Sequence, residues 1–162
     1  MNQFLWYVAH SRPRCEKKIV EQCAREGIAA TLPMYRAVHK YRGKTVEFRK
    51  PLFPGYVFLN FDPELRRKVI CGDYVANLLN VPDQEVFQAQ LKEILLAVET
   101  DLEIRIAPTI SEGTRVKIKN GPLRGVEGYV EKRFGPCVVL LRLDFIGQAA
   151  AVKVDATDLE LI

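Results

Sequence analysis

The sequence predicts an α+β fold: an N-terminal mixed sheet with helices on it, followed by a small five-stranded β-barrel. Two observations carry this. Strand-like and helical apolar patterns alternate up to residue 100, and after Glu99 the helical period stops, giving way to short strand patterns with glycine turns. The expected organisation is a domain over 1–100, a linker over 101–108 and a second domain over 109–162.

Phe4–His10 reads as an apolar strand containing Trp6, Tyr7 and Val8. Pro13 is expected to open a helix through Arg25, with Cys15, Ile19, Val20, Cys23 and Ala24 on one side and Gly27 as its stop. Ile28–Pro33 reads as a second strand. Arg36–Lys50 reads as a hairpin with Arg42-Gly43-Lys44 at its tip, flanked by Val38, Tyr41, Val46 and Phe48.

The stretch Pro51-Leu-Phe-Pro-Gly-Tyr-Val-Phe-Leu-Asn-Phe61 has the aromatic and β-branched character of a buried strand, with a bend or bulge at Pro54-Gly55. It is either a core strand that begins at a turn or a strand presenting aromatic rings to a partner. Asp62-Pro63-Glu64 is a helix start running to Cys71, since the aspartate caps and proline fits the first turn. Tyr74–Val81 is a further strand. Asp83 caps a last helix to Val98, with Val86, Leu91, Ile94, Leu95 and Val98 on its apolar side.

Beyond residue 110, strands are expected at Thr114–Ile118, Val126–Lys132, Cys137–Leu143, Ala149–Val154 and Leu159–Leu161. Val116 and Ile118 alternate with lysines, Asn120-Gly121-Pro122 makes a turn, and Gly125 and Gly128 bracket the next strand, where curvature leaves no room for a side chain.

Net charge is +4, but it is unevenly placed: +6 up to Asp62 and −2 beyond, which points to a polyanion near the first part. Cys15, Cys23, Cys71 and Cys137 form no close pair, and His10 and His39 are the only imidazoles, so neither a metal site nor a cofactor is expected. No apolar run approaches the ~20 residues of a membrane span. The N-terminal residues lack the layout of a signal peptide, and a cytoplasmic location is expected. No nucleophile stands with a base and no phosphate-binding glycine loop opens a helix, so no enzyme is expected.

The segment Val116-Lys-Ile-Lys-Asn-Gly-Pro-Leu-Arg-Gly-Val-Glu-Gly-Tyr-Val130 resembles the KOW motif, which implies that the small barrel is a five-stranded SH3-like β-barrel. Joined to Trp6-Tyr7-Val8, a basic helix and the Pro51–Phe58 strand, it resembles the NusG family of transcription elongation factors across nearly the whole chain. The resemblance implies that the first domain binds the clamp helices of the largest RNA polymerase subunit through Phe53, Pro54, Gly55, Tyr56 and Phe58. It implies that Arg12, Arg14, Lys17 and Lys18 reach the non-template DNA strand, and that Arg66, Arg67 and Lys68 touch polymerase a second time. It also implies that the KOW domain uses Ile146 to bind termination factor Rho or a small-subunit ribosomal protein, with the factor working as a monomer.

The compact hairpin and Phe61-Asp62-Pro63-Glu64 favour a specialised antiterminator of RfaH type over a housekeeping factor. Some such barrels refold into helices; here Gly121-Pro122 and Gly135-Pro136 oppose that, because each proline costs a helix ~3 kcal/mol. The alternative is a KOW-containing ribosomal or RNA-binding protein, which leaves the aromatic Pro-Gly strand and the first domain's helices unexplained. The hairpin at Lys40–Lys44 is either an arm near nucleic acid or a solvated turn.

Overall fold

A computed structural model describes residues 3–100, 104–108, 113–135 and 137–162. By contacts the chain divides into two compact units, Met1–Met34 with Arg49–Val86, and Tyr35–Phe48 with Phe87–Ile162. The expected limits at residues 100 and 109 divide it differently.

The first unit is built on strands β1 (Leu5–Ser11), β2 (Ala29–Thr31), β5 (Tyr56–Phe61) and β6 (Val75–Asn80). Their order is β2-β5-β1-β6, and β1 runs antiparallel to both β5 and β6. Side chains alternate across a strand, so Tyr7, Ala9, Val57, Leu59 and Phe61 share one face. Helix α1 (Glu16–Arg25) covers that face with Ile19 and Cys23, and the short helix α2 (Arg66–Ile70) adds Val69. Tyr7 stacks on Phe61 with ring centroids 4.5 Å apart. Alternation gives Val8 and Phe58 to the opposite face, and both are fully buried.

Two local expectations for this unit are corrected. Proline 13 is not in the helix: Arg12–Cys15 forms a turn, with the Cys15 N–H donating to the Arg12 carbonyl at 3.1 Å, and α1 begins at Glu16. The helix expected from Asp62 to Cys71 is a 3-10 turn, Pro63–Leu65, followed by α2. The Asp62 carboxylate does cap it, accepting from the Glu64 N–H at 3.0 Å. At the edge, the Gln84 side chain acts like a missing strand residue: its amide accepts from Trp6 N–H at 2.6 Å and donates to the Trp6 carbonyl at 2.9 Å.

Helix α3 (Gln84–Val98) starts as expected, with Asp83 accepting from Val86 N–H at 3.1 Å. Its buried side is Phe87, Leu91, Ile94 and Ala97, while Val86 is exposed. The apolar stripe was thus read one residue out of phase at its first turn.

In the second unit, among the described residues, strands β3 (Met34–Tyr41) and β4 (Lys44–Pro51) pair only with each other. A six-stranded sheet follows, made of β7 (Ile104–Pro108), β8 (Thr114–Ile118), β9 (Glu127–Val130), β10 (Val138–Leu143), β11 (Gln148–Lys153) and β12 (Leu159–Leu161). Its order is β12-β8-β9-β10-β11-β7. Five of these are the expected strands. The sixth, β7, lies in the segment read as linker and pairs antiparallel with β11, Ala107 opposite Ala149; residues 101–103 of that segment lie outside the described residues.

Gly128 is where room runs out: a Cβ there would meet Val139 and stand 2.8 Å from the Leu140 carbonyl. Gly125 has a different reason, a φ of +92° with open space around it. Leu140, Ala107, Ala149 and Ala151 form the packed centre of one face.

Candidate functional site

Pro54-Gly55 forms a turn rather than a bulge. The Tyr56 N–H donates to the Phe53 carbonyl at 3.2 Å, proline occupies the second position and Gly55 the third with φ +89°. Those are the requirements of a type II turn, in which the third residue needs the left-handed region. The turn is anchored to β1 by Ser11 N–H donating to the Gly55 carbonyl at 2.9 Å.

The expected aromatic patch splits on this turn. Phe53 and Phe58 are 1% and 0% exposed and meet edge to face at 6.1 Å, so neither faces a partner; both are core. Pro54 is exposed and Gly55 and Tyr56 are half-buried. Beside them stands the ring of His10, at the end of β1. His10 pairs with Tyr56 across β1 and β5, is exposed, and stacks on it at 5.4 Å and 25°. The accessible surface is therefore His10, Pro54, Gly55 and Tyr56. The cross-strand register was the signal that could have found His10, once β1 and β5 were taken as neighbours.

Arg12, Arg14, Lys17 and Lys18 are all exposed, but they do not share one helix face. Arg12 and Arg14 belong to the turn before α1, and only Lys17 and Lys18 are helical. That turn repeats the geometry of the first, with Pro13 second and Arg14 third, and Arg14 holds φ +60°. A left-handed non-glycine residue costs roughly 1–2 kcal/mol. The Arg12 N–H donates to the Tyr74 carbonyl at 2.9 Å, and Lys18 Nζ lies 5.5 Å from the centre of the Tyr74 ring. Tyr74 thus braces both ends of the cationic group.

Among Arg66, Arg67 and Lys68, the last two are exposed, while Arg66 Nε donates to Asn80 Oδ1 at 3.2 Å. In the second unit Ile146 is half-buried in a 3-10 turn, Asp144–Ile146, closed by Gly147 at φ +66°. Gln90 grips this turn, donating to Asp144 Oδ2 at 2.8 Å and accepting from Asp144 N–H at 3.0 Å, while Phe87 meets Phe145 edge to face at 6.3 Å. Nothing in the sequence pointed to that pairing. Nearby, burial and the Glu127 carboxylate push the Glu93 carboxyl above its ordinary value. Among the described residues no three His, Cys, Asp or Glu side chains gather to hold a metal, and no helix is long and apolar enough to cross a membrane.

The sequence profile of the NusG family, described as "Transcription termination factor nusG", matches residues 4–90, the stretch that carries the Pro54-Gly55 turn and the cationic group. The chain is also similar to the "Transcription termination/antitermination protein NusG" of Treponema pallidum (strain Nichols), 25% identical over 134 residues covering 74% of this chain and 72% of that protein. With the profile spanning more than half of its length, the chain belongs to the NusG family.

Proposed function

We propose that this chain is a transcription elongation factor that binds RNA polymerase through the first unit and promotes processive elongation and antitermination. It acts as a specialised factor rather than the housekeeping one, and not as an enzyme. The observation that carries this reading is the family match over residues 4–90, which includes the turn where His10, Pro54 and Tyr56 are accessible on a rigid sheet. Stacked rings beside a proline and a glycine make a compact anchor for the clamp helices, with the buried Phe53 and Phe58 holding the turn in place.

Arg12, Arg14, Lys17 and Lys18 take the non-template strand in this reading. The left-handed Arg14 supports it, since backbone strain persists where a side chain must be aimed. Arg67 and Lys68 make the second polymerase contact, with Arg66 held by Asn80. Residues 109–162 act as a KOW domain whose Ile146 turn recruits Rho or a small-subunit ribosomal protein, and the domain limits at 100 and 109 belong to the same proposal.

Retention of core RNA polymerase and of an isolated clamp-helix fragment by the full chain tests the reading. Tyr56→Ala with His10→Ala is expected to weaken both by hot-spot amounts, on the order of 2 kcal/mol, without unfolding the chain. Arg14→Ala with Lys18→Ala is expected to spare the fragment and weaken elongation complexes mainly at low salt, flattening the salt slope by ~0.7 per lost contact. Undiminished clamp-helix binding by a folded Tyr56/His10 double variant overturns the assignment of the surface.

A further inference from the structure

The β3–β4 hairpin exposes rings that the proposed polymerase and DNA contacts do not use. Its strands form a two-stranded sheet of their own, and every residue from Tyr41 to Lys50 is exposed. Tyr41 and Phe48 are 57% and 40% exposed, with Val38 and Val46 also open to solvent. The tip is a tight turn: Arg42 and Gly43 have φ +46° and +80°, the paired left-handed residues that suit strand twist.

Alternation places Tyr35, His39 and Tyr41 on one face of β3. His39 stands 6.1 Å from Tyr41 and 5.6 Å from Phe48, so Phe48, and with it Val46 and Lys44, share that face. The opposite face carries Arg36, ion-paired with Glu47 at 3.7 Å, and Lys40. From Arg36 to Lys50 there are six cations and one carboxylate.

We infer that the aromatic face of this hairpin is a stacking platform for single-stranded DNA. Rings interleaved with cations are what an unpaired strand requires, because bases stack on the rings while lysine and arginine track the phosphates. A protein partner fits poorly, since lysine is depleted where protein surfaces meet and here it accompanies the rings. Duplex DNA keeps its bases stacked on one another and offers the rings nothing. RNA differs by its 2′-hydroxyl, and the preference between the two is read directly by the test below. The platform is separate from Arg14 and Lys18, so its test does not depend on their role.

Anisotropy of a labelled dT15 oligonucleotide with the full chain, set against rU15 and a 15-base-pair duplex over a salt series, decides the matter. Tyr41→Ala with Phe48→Ala is expected to weaken dT15 about tenfold or more with an unchanged salt slope. Lys44→Ala, on the ring face, is expected to lower the slope by ~0.7. Arg14→Ala with Lys18→Ala leaves the ring-dependent loss in place, which separates this proposal from the non-template-strand assignment. Photo-crosslinking of iodouracil-substituted dT15 is expected to label peptide 35–50, a readout that needs no variant. Tighter binding of rU15 or duplex, unchanged dT15 affinity in the ring variant, no crosslink within peptide 35–50, or a dimer in sedimentation that the ring variant abolishes would each overturn it.

Discussion

Two stretches of this chain have nearly the same ingredients and opposite fates. Residues 52–61 and 38–48 each mix aromatic and β-branched residues with a glycine turn. In the first, Phe53 and Phe58 are sealed; in the second, Tyr41 and Phe48 stand in solvent. The difference is the number of neighbours. Strand β5 lies between β2 and β1, whereas β3 and β4 have no third strand among the described residues. Strand chemistry decides that a segment extends; sheet position decides whether its rings are core or surface. The exposed rings therefore need another explanation, which solvated charge beside them supplies.

The largest expected effect breaks or confirms that contrast directly. Phe58→Ala, and equally Phe53→Ala, removes a sealed ring and is expected to cost about 3–5 kcal/mol in denaturant unfolding. A loss under 1 kcal/mol at both would mean the rings are not core.

Thiol chemistry sharpens the same line. Cys23 packs in the cluster with Val57 and Leu59, and burial, helped by Glu26, pushes its thiol up to about 11 from 9.0. Its thiolate fraction at pH 8 is then lower by on the order of a hundredfold, with slower alkylation to match. Cys71 and Cys137 are exposed and are expected to react first, as is a thiol introduced by Phe48→Cys. The raised value also has a stability sign: this contribution is complete below pH 9.0 and is lost as pH rises through about 11. Equal labelling of Cys23 and Phe48→Cys in mass spectrometry would erase the distinction.

The turns that feed this sheet give a smaller, signed effect. Gly55→Ala is strained by φ +89° rather than by crowding, since the nearest atoms to a new Cβ are His10 ring atoms at an ordinary 3.6 Å. It is expected to cost roughly 1–2 kcal/mol. Arg14→Gly, at φ +60° in the matching turn, is expected to gain up to about 1 kcal/mol while weakening elongation-complex binding at low salt. Destabilisation by Arg14→Gly would show that the arginine is a structural fixture and not strained for a purpose.

Much of the fold was legible because local chemistry set it. The Asp62 cap, the hairpin tip at Arg42-Gly43 and the close approach at Gly128 each depend on one residue and its neighbours. What escaped depends on distant partners. Ile104–Pro108 becomes a strand only because β11 lies beside it, and Gln90 finds Asp144 from 54 residues away. The site was half legible for the same reason. Composition marked residues 53–58 as unusual, but a core ring and a docking ring have the same hydrophobicity, so Phe53 and Tyr56 could not be separated without the turn between them. Pro13 misled because proline serves a turn before a helix as readily as the helix's first residue.

The smallest effect is the most exacting for the comparison. Phe48→Ala and Tyr41→Ala remove rings as large as those at 53 and 58, yet each is expected to cost no more than about 1 kcal/mol in unfolding stability. The reasoning runs through the unfolded chain. Phe48 and Tyr41 keep 40% and 57% of their surface in water, so they lose less hydration on folding than a sealed ring and deleting them returns less on unfolding. Cross-strand contacts with His39 contribute only a few tenths to 1 kcal/mol, and they stabilise a two-stranded sheet that is marginal by itself. Their loss should appear as faster amide exchange over residues 35–48, with β5 amides unchanged. A cost above 2 kcal/mol at Phe48 would mean the hairpin is packed core, and the contrast with residues 52–61 would collapse.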